Sequence, residues 1–450
     1  MSHYKPYPAY RESGVEWIGQ VPERWRAKPL KIAVSYNDDS VPETEDAGTP
    51  IRYVDISAVS HDEGIGSTEA MLFGDSPSRA RRKAKTGDVV ISTVRTYLKA
   101  IAAVDEKHAD CIFSTGFAVL RAREGQMDPA FLKWLALNEL FIQAVESHSE
   151  GLSYPAINAP DLVNLKAGLP SLQEQAIIAP VLDRETTRVD ALIAKKTRFI
   201  ELLKEKRQAL ITHAVTKGLN PDAPKQDSEV EWLGEIPAHW LVAQLGKISI
   251  ARCDGPFGSG LKSEHYQPDG VRVIRLQNIG WASFKDGNEA FISHDHWQDV
   301  LGCGHEVLPN DVLIGGLGDD KNPLGRACVA PANLGPAMVK ADCYRFRLNT
   351  NRAMPEFIAL ALSATARSEC GYLATGATRD RLNLGLASAR VVPLPPLNEQ
   401  AEIVASLNRD TARIDLLTEK TQRSIDLLKE RRAAFITAAV TGQIDLREAA

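Results

Sequence analysis

The chain has 450 residues, of which 44% are hydrophobic and 25% charged, and its formal net charge is -5. This composition predicts roughly two to four folded domains and excludes a disordered or collagen-like polymer. Because the net charge is slightly negative, a nucleic acid would have to be contacted by local basic clusters. Apolar runs of 18 residues are absent, so we expect no membrane span, no secretion signal and a cytoplasmic location.

An internal repeat is the most informative feature of the sequence, because repeated segments decide architecture before any single motif does. Two strong pairs of segments flank the halves of the chain, and two weaker pairs lie between the flanks. The pairs are residues 12–25 and 227–240, residues 169–216 and 394–441, residues 51–57 and 271–277, and residues 86–92 and 309–315. The chain therefore consists of two halves that share a fold and differ in their inserted sequences.

The inserted sequences, residues 26–168 and 241–393, contain short runs rich in Val and Ile that are closed by Gly, Pro, Asn and Asp. Such runs predict strands, whereas residues 129–146 have helical spacing. We predict two mixed α/β domains within an α+β fold. The predicted organisation has five segments: an N-terminal segment (1–25), a first inserted domain (26–168), a central helical region (169–222), a second inserted domain (223–393) and a C-terminal helical region (394–450).

A long amphipathic helix is predicted after each inserted domain, from about Asp183 to Lys217 in the first copy. Apolar residues that alternate in steps of three and four form one seam along it, and about 35 residues at 1.5 Å each give a rod of about 50 Å. The helix-pairing residues are Val189, Ile193, Ile200, Leu203 and Leu210 in the first copy and Ile414, Ile425, Leu428 and Phe435 in the second. We predict that the two helices pack as a coiled coil; the alternative is that each lies on its own globular domain.

Motifs for catalysis, nucleotide binding or metal binding are not evident. The glycine-rich loop at residues 255–263 has Leu261 where a phosphate-binding loop requires lysine directly after glycine. The histidines and the cysteine within residues 294–305 lack a standard zinc spacing, and the six cysteines form no CxxC pair or disulfide framework. We therefore expect neither catalytic residues nor a metal site in this chain.

Two groups of residues are candidates for contact with DNA. Arg and Lys suit phosphate, and Arg, Gln and Asn can read the edges of G and A in the major groove. The first group, called here the basic stretch, consists of Arg79, Arg81, Arg82, Lys83, Arg95 and Lys99; the second consists of Gly258, Ser259, Lys262, Arg275, Gln277 and Asn278. The alternative for both groups is a solvated surface without a ligand.

The duplicated motifs resemble those of the DNA-specificity (S) subunit of type I restriction-modification enzymes. The pattern W-[IL]-G-x-[IV]-P-x-x-W occurs at residues 17–25 and 232–240, and L-P-x-L-x-E-Q at residues 169–175 and 394–400. Each L-P-x-L-x-E-Q is followed by the long helix, and residues 254–266, DGPFGSGLKSEHY, resemble the start of many target-recognition domains. The resemblance covers nearly the whole chain.

This resemblance implies two target-recognition domains that are separated by two long antiparallel coiled-coil helices and that read a bipartite, asymmetric double-stranded DNA target. It also implies two methyltransferase (M) subunits with S-adenosylmethionine and motor-nuclease (R) subunits with ATP and Mg. The partners would methylate adenine and cleave DNA, while this chain would hold no cofactor and catalyse no reaction. The alternatives are a coiled-coil structural adaptor that binds no DNA, and a self-sufficient methyltransferase or nuclease.

Overall fold

The computed structural model describes residues 4–151, 153–257, 260–319, 321–373 and 381–447. Its contacts divide the chain into two units, which we call unit 1 (Met1–Thr197 with Gln422–Ala450) and unit 2 (Arg198–Thr421). Each unit contains one inserted domain and part of both long helices. The units therefore divide the chain differently from the five predicted segments, because each long helix is shared.

The helices and strands follow the duplication. In the described chain the α-helices are α1 Pro129–Ala136, α2 Glu139–Ser147, α3 Ala159–Asn164, α4 Leu172–Lys217, α5 Pro355–Leu373, α6 Leu384–Ala389 and α7 Leu397–Val440. The first strands are β1 Tyr10–Glu12, β2 Gln20–Pro22, β3 Arg26–Pro29, β4 Val34–Tyr36, β5 Pro50–Val54, β6 Val59–Ser60, β7 Gly64–Ile65, β8 Glu69–Leu72, β9 Ala80–Lys83, β10 Val89–Ser92, β11 Ile101–Ala103, β12 Ile112–Ser114, β13 Phe117–Ala122 and β14 Lys166–Leu169. The remaining strands are β15 Lys225–Asp227, β16 Glu235–Pro237, β17 Leu241–Gln244, β18 Ser249–Cys253, β19 Tyr266–Gln267, β20 Val271–Ile274, β21 Phe291–Ile292, β22 Glu306–Val307, β23 Val312–Gly315, β24 Ala327–Val329, β25 Ala337–Val339, β26 Cys343–Leu348 and β27 Val391–Leu394.

Unit 1 contains two four-stranded sheets. The first, called the central sheet, has the order β11-β10-β13-β4, and the second has the order β8-β5-β12-β9. Val89 and Ile91 of β10 pack into the core that contains the helices, whereas Val90 packs into the core shared with the second sheet. The apolar run forms a strand because alternate side chains of β10 bury on opposite faces.

Unit 2 repeats this plan. Its central sheet has the order β18-β26-β23-β24, and its second sheet has the order β19-β21-β20-β25-β22. Val312 and Ile314 of β23 face one core and Leu313 faces the other. Each second sheet contains an equivalent parallel pair of strands, β5 with β12 in unit 1 and β20 with β25 in unit 2. The prediction of two mixed α/β domains with a common fold is confirmed.

Each inserted domain also contains the same ion pair, which joins a buried aspartate to a half-buried arginine. Asp88 at the start of β10 lies 2.7 Å from Nη2 of Arg121, and Asp311 at the start of β23 lies 2.9 Å from Nε of Arg347. Hydrogen bonding to these carboxylates raises the pKa of both arginines. The two halves therefore share internal electrostatics as well as strand order.

The long helices exceed the predicted length. Helix α4 has 46 residues and α7 has 44, which corresponds to about 65–70 Å each. The seam predicted a start of the first helix near Asp183, but α4 begins at Leu172. The earlier turns lack the seam pattern because Ile178 and Leu182 bury into the core of unit 1.

Two ion pairs define the pairing of the helices. Asp190 of α4 lies 3.0 Å from Nε of Arg432 of α7 in unit 1, and Arg207 lies 3.2 Å from Asp415 in unit 2. The early part of each helix therefore meets the late part of the other, so the helices are antiparallel. Both members of one pair lie 225 positions from the members of the other, which is the spacing of the sequence repeat. All nine predicted seam residues are buried or half-buried.

The repeated Trp motif secures the helix ends. Trp25 is buried in the core of unit 1 with Ile436 and Val440 at the end of α7, and Trp240 is buried in the core of unit 2 with the end of α4. Gly442 has a φ of +75°, and a Cβ there would meet Pro22 at 2.3 Å. Glycine is therefore required where α7 ends against the N-terminal segment.

The glutamine of each L-P-x-L-x-E-Q motif has the same structural role. Gln175 accepts a hydrogen bond from the backbone N–H of Asp128 at 2.8 Å and donates one to the carbonyl of Pro170 at 3.0 Å. Gln400 accepts from the N–H of Met354 at 2.7 Å and donates to the carbonyl of Pro395 at 2.8 Å. Both motifs therefore join a long helix to its inserted domain.

Candidate nucleic-acid interface

The basic stretch is divided between the two sheets of unit 1. Arg79, Arg81, Arg82 and Lys83 lie on or just before β9, at the edge of the second sheet. Arg95 and Lys99 lie in the loop that follows β10 of the central sheet. The single cluster predicted from the sequence is therefore two separate groups.

The group at β9 is already partly engaged within the domain. Arg79 donates to the hydroxyl of Tyr53 at 3.0 Å and to Asp55 at 2.7 Å, and the Tyr53 hydrogen bond raises the pKa of Arg79. Arg82 is half-buried, and burial lowers its pKa. Lys83 is exposed, so it is the member of this group best placed to meet a phosphate.

The loop after β10 has an unusual backbone. Arg95 and Lys99 both have a φ of +50°, a region that residues other than glycine seldom adopt. Lys99 lies 2.5 Å from Glu139, which raises the pKa of Lys99. The guanidinium of Arg95 lies 4.9 Å from the ring centre of Tyr154, an exposed aromatic residue.

The second predicted group has mixed positions. Gly258 and Ser259 lie outside the described residues. Lys262 is exposed and lies 3.6 Å from Glu264, while Gln277 is also exposed. Arg275 is half-buried and donates to the carbonyl of Asn288 at 2.6 Å.

Asn278 has a structural position that does not suit the predicted contact with a base. Its side chain is 1% exposed, and its amide donates to the carbonyls of Lys285 and Gly287, each at 3.0 Å. Its side-chain oxygen accepts from the N–H of Arg275 at 3.0 Å. The amide is therefore used to hold the segment after β20.

Replacing Asn278 with Ala is expected to lower the free energy of unfolding by about 1–3 kcal/mol, because a buried amide that makes three hydrogen bonds to the backbone is lost. For the DNA-binding role that the sequence resemblance implies, the preferred bases should not change. Chemical denaturation and methylation mapping measure the two effects. Gln277→Ala is the matched control, since this exposed neighbour should leave stability within about 0.5 kcal/mol; a relaxed base preference in folded N278A would contradict the assignment.

Two residues in unit 2 form a site that the sequence did not indicate. Arg381 lies 2.8 Å from Asp342, and its guanidinium lies 5.4 Å from the ring centre of Phe257. Phe257 is exposed and belongs to the glycine-rich loop quoted above. The position of Phe257, an aromatic residue among glycines, could have marked it as a candidate in the sequence. No sequence pattern marks Arg381.

Neither a metal site nor a membrane-spanning helix occurs among the described residues. Within that part of the chain there is no group of three His, Cys, Asp or Glu side chains that could hold a metal ion. His296 bonds to the carbonyl of Gly260 at 3.0 Å and His305 to that of Asp254 at 2.5 Å, so both have partners within the protein. No described helix is long and apolar enough to cross a membrane.

The chain is a structural duplication, with two domains of one fold that differ in their exposed residues and two copies of one long helix. No family model matches the chain. It is 24% identical over 446 residues to the putative type I restriction enzyme MjaX specificity subunit of Methanocaldococcus jannaschii, covering 96% of each chain. It is 23% identical to the StySPI specificity subunit of Salmonella potsdam, over 95% of this chain and 90% of that protein.

Solved structures show the same fold. A chain from a study of the assembly and conformational transition of the type I R-M system aligns with a TM-score of 0.74 and 23% identity, over 94% of this chain and 99% of that one. The HsdS subunit from Thermoanaerobacter tengcongensis aligns with a TM-score of 0.54 and 24% identity, over 96% and 100%. The chain is a homologue of type I restriction enzyme specificity subunits, which confirms the resemblance of its duplicated motifs.

Proposed function

We propose that this chain is the sequence-specific DNA-binding subunit of a type I restriction-modification complex. It recognises a bipartite, asymmetric target and directs adenine methylation and restriction by partner subunits. The observation that carries this proposal is a duplicated scaffold with dissimilar inserted domains. An adaptor without DNA binding is not favoured, because the curated relatives that cover nearly the whole chain are specificity subunits.

The differences between the inserted domains support an asymmetric target. The ion pairs of Asp88 and Asp311 are equivalent inside the domains, but the surface loops are not. The loop after β10 contains Arg95, whereas the corresponding loop after β23, residues 316–326, is rich in glycine and longer. Two readers with one fold and different loops can recognise two different half-sites.

The duplication also supports two copies of one partner. Leu192 and Leu417 occupy equivalent positions on α4 and α7, as do Leu202 and Leu427, and all four are between 40% and 57% exposed. A surface present twice can hold two M subunits. S-adenosylmethionine would be bound by the M subunits, ATP and Mg by the R subunits, and the complex would act on DNA in the cytoplasm.

Methylation mapping tests the proposal. The chain and its methyltransferase partner are produced together in a host without adenine methylation, and methylated adenines are located across the host DNA. We expect one bipartite motif that disappears when the chain is omitted. Methylation that does not depend on the chain would contradict the proposal, and so would incorporation of labelled methyl groups by the chain alone.

Lys83→Ala is expected to weaken DNA binding by the assembled complex equally for all sequences. If Lys83 meets a phosphate, the slope of log affinity against log salt should flatten by about one unit. Binding is measured over a series of salt concentrations. Lys107→Ala is the control, because this exposed lysine lies in a turn beside Asp105 and Glu106. Equal salt slopes for the two variants would favour the alternative, in which the group at β9 is a solvated surface without a ligand.

A further inference from the structure

Each unit presents an arginine stacked on an exposed aromatic ring. In unit 1 the guanidinium of Arg95 lies 4.9 Å from the ring centre of Tyr154, which is 65% exposed. In unit 2 the guanidinium of Arg381 lies 5.4 Å from the ring centre of Phe257, which is 49% exposed. A guanidinium that stacks on an exposed ring is stabilised by the ring and keeps its N–H donors accessible to a ligand.

The two pairs occupy the same place in the fold. Val94, after β10, forms an isolated β-bridge with Ala156, and Leu317, after β23, forms one with Arg381. Ala156 and Arg381 are separated by 225 positions, the spacing of the repeat. Both pairs therefore lie where the strand from the middle of the central sheet ends, beside the segment that leads into the short helix α3 or α6.

The two pairs use different chain segments for the same chemistry. In unit 1 the arginine comes from the loop after β10, and Tyr154 comes from the segment before α3. In unit 2 the arginine comes from the segment before α6, and Phe257 comes from the loop after β18. Inheritance from one ancestral half does not explain this, because the contributing segments are different. The recurrence of an arginine stacked on an aromatic ring at the same place in both units indicates that both inserted domains need this pair for the same purpose.

The structure constrains the backbone of Arg95 and the side chain of Arg381. The φ of +50° at Arg95 is strained for an arginine, and such backbone persists where its surroundings hold it. In unit 2, Asp342 accepts from Nε of Arg381 at 2.9 Å. A guanidinium has five N–H donors in a planar fork, so an arginine held by one carboxylate retains donors for a second acceptor.

We infer that Arg95 and Arg381 are specificity-determining residues, each of which reads a guanine edge in one half-site while Tyr154 or Phe257 holds its plane. The O6 and N7 atoms of guanine form the acceptor pair that a planar guanidinium matches. Lys83 and the rest of the β9 group lie on the other sheet of unit 1 and do not take part. This inference rests on the proposed function and names the residues that read the target.

The test uses the full chain with its methyltransferase partner. Arg95→Ala should make one position of one half-site degenerate, with discrimination there falling by about 5- to 150-fold, and Arg95→Lys should lose part of that discrimination because its ammonium lacks the planar fork. Arg381→Ala should do the same in the other half-site only. Arg95→Lys keeps the charge, so its loss of discrimination would report the planar fork and does not depend on how R95A folds.

The aromatic partners provide matched pairs. Tyr154→Phe and Phe257→Tyr keep the rings and should leave the motif unchanged. Tyr154→Ala should relax the position affected by R95A, and Phe257→Ala the position affected by R381A. Arg52→Ala, which removes a half-buried arginine of the second sheet that pairs with the exposed Asp110, is the control and should change no position.

The outcomes separate this inference from the proposed function. A parent chain that directs no bipartite methylation would overturn the proposed function. If the parent chain directs a bipartite motif, an unchanged motif in R95A and R381A would overturn the inference alone. Uniform weakening of methylation without a change in motif would also overturn it, since that is the signature of phosphate contact.

Discussion

A fragment comprising residues 1–225 is expected to form a homodimer that, with the methyltransferase partner, methylates an inverted repeat of one half-site. In the full chain, Ile436, Ala439 and Val440 at the end of α7 complete the core of unit 1. The residues 225 positions earlier are Ile211, Ala214 and Val215, and they lie at the end of α4. A second copy of the fragment can therefore supply the missing surface with nearly identical side chains.

The ion pairs support the same arrangement. Asp190 pairs with Arg432 in the full chain, and the equivalent of Arg432 in the first half is Arg207. In a two-fold dimer, Asp190 of one copy would meet Arg207 of the other, and the contact would occur twice. Two identical inserted domains then recognise two identical half-sites, because the symmetry of the DNA target mirrors that of the protein.

Sedimentation of the fragment and methylation mapping on randomised DNA measure this result. A control fragment with Ile200→Asp and Leu203→Asp places two charges in the seam and should remain monomeric and inactive. A folded monomer of the unaltered fragment would contradict the paired-helix arrangement. A dimer that prefers the asymmetric parental target would contradict the assignment of one half-site to each unit.

Arg390→Ala is expected to lower the free energy of unfolding of unit 2 by about 3–5 kcal/mol, because it leaves a buried carboxylate without its partner. Arg390 is 0% exposed; its Nε lies 2.7 Å from Glu369, and its Nη2 donates to the carbonyl of Leu362 at 2.7 Å. Glu369 also accepts from the N–H of Val391 at 2.7 Å. The change therefore disrupts the junction of α5 with β27.

The double variant Arg390→Leu, Glu369→Leu should recover most of the lost stability, since an apolar pair can replace a buried ion pair at little cost. Unit 1 supports this expectation, because the position equivalent to Arg390 is the buried Leu165. Chemical denaturation measures both variants. Arg52→Ala, which breaks an exposed ion pair, should cost less than about 1 kcal/mol; a similarly small cost for R390A would contradict the prediction.

Local patterns accounted for the strands and the helix seam. The run DVVIS became β10 and DVLIG became β23, because a short apolar run flanked by turn residues needs only burial on its two faces to form a strand. The three-four spacing located the seam residues of α4 and α7 for a similar reason. The predicted start of α4 was wrong, because the first turns of this helix pack on the core of unit 1 and do not follow the seam pattern.

Contacts between distant segments decided the candidate interface. The sequence grouped Asn278 with exposed polar neighbours, but the segment around Lys285 folds back and uses its amide. It also grouped Arg95 with Arg79, although the two lie on different sheets. Proximity in sequence does not report burial or the sheet to which a loop belongs.

The amino-acid sequence alone shows that the chain is a duplication, that each half contains a mixed α/β domain and a long helix, and that its motifs resemble those of specificity subunits. These properties follow from comparing the two halves of the sequence and from the periodicity within short segments. The stacking of Arg381 on Phe257, equivalent to that of Arg95 on Tyr154, is visible only in the folded chain. That equivalence depends on which loops meet at the end of a sheet, and strand pairing between segments distant in sequence determines it.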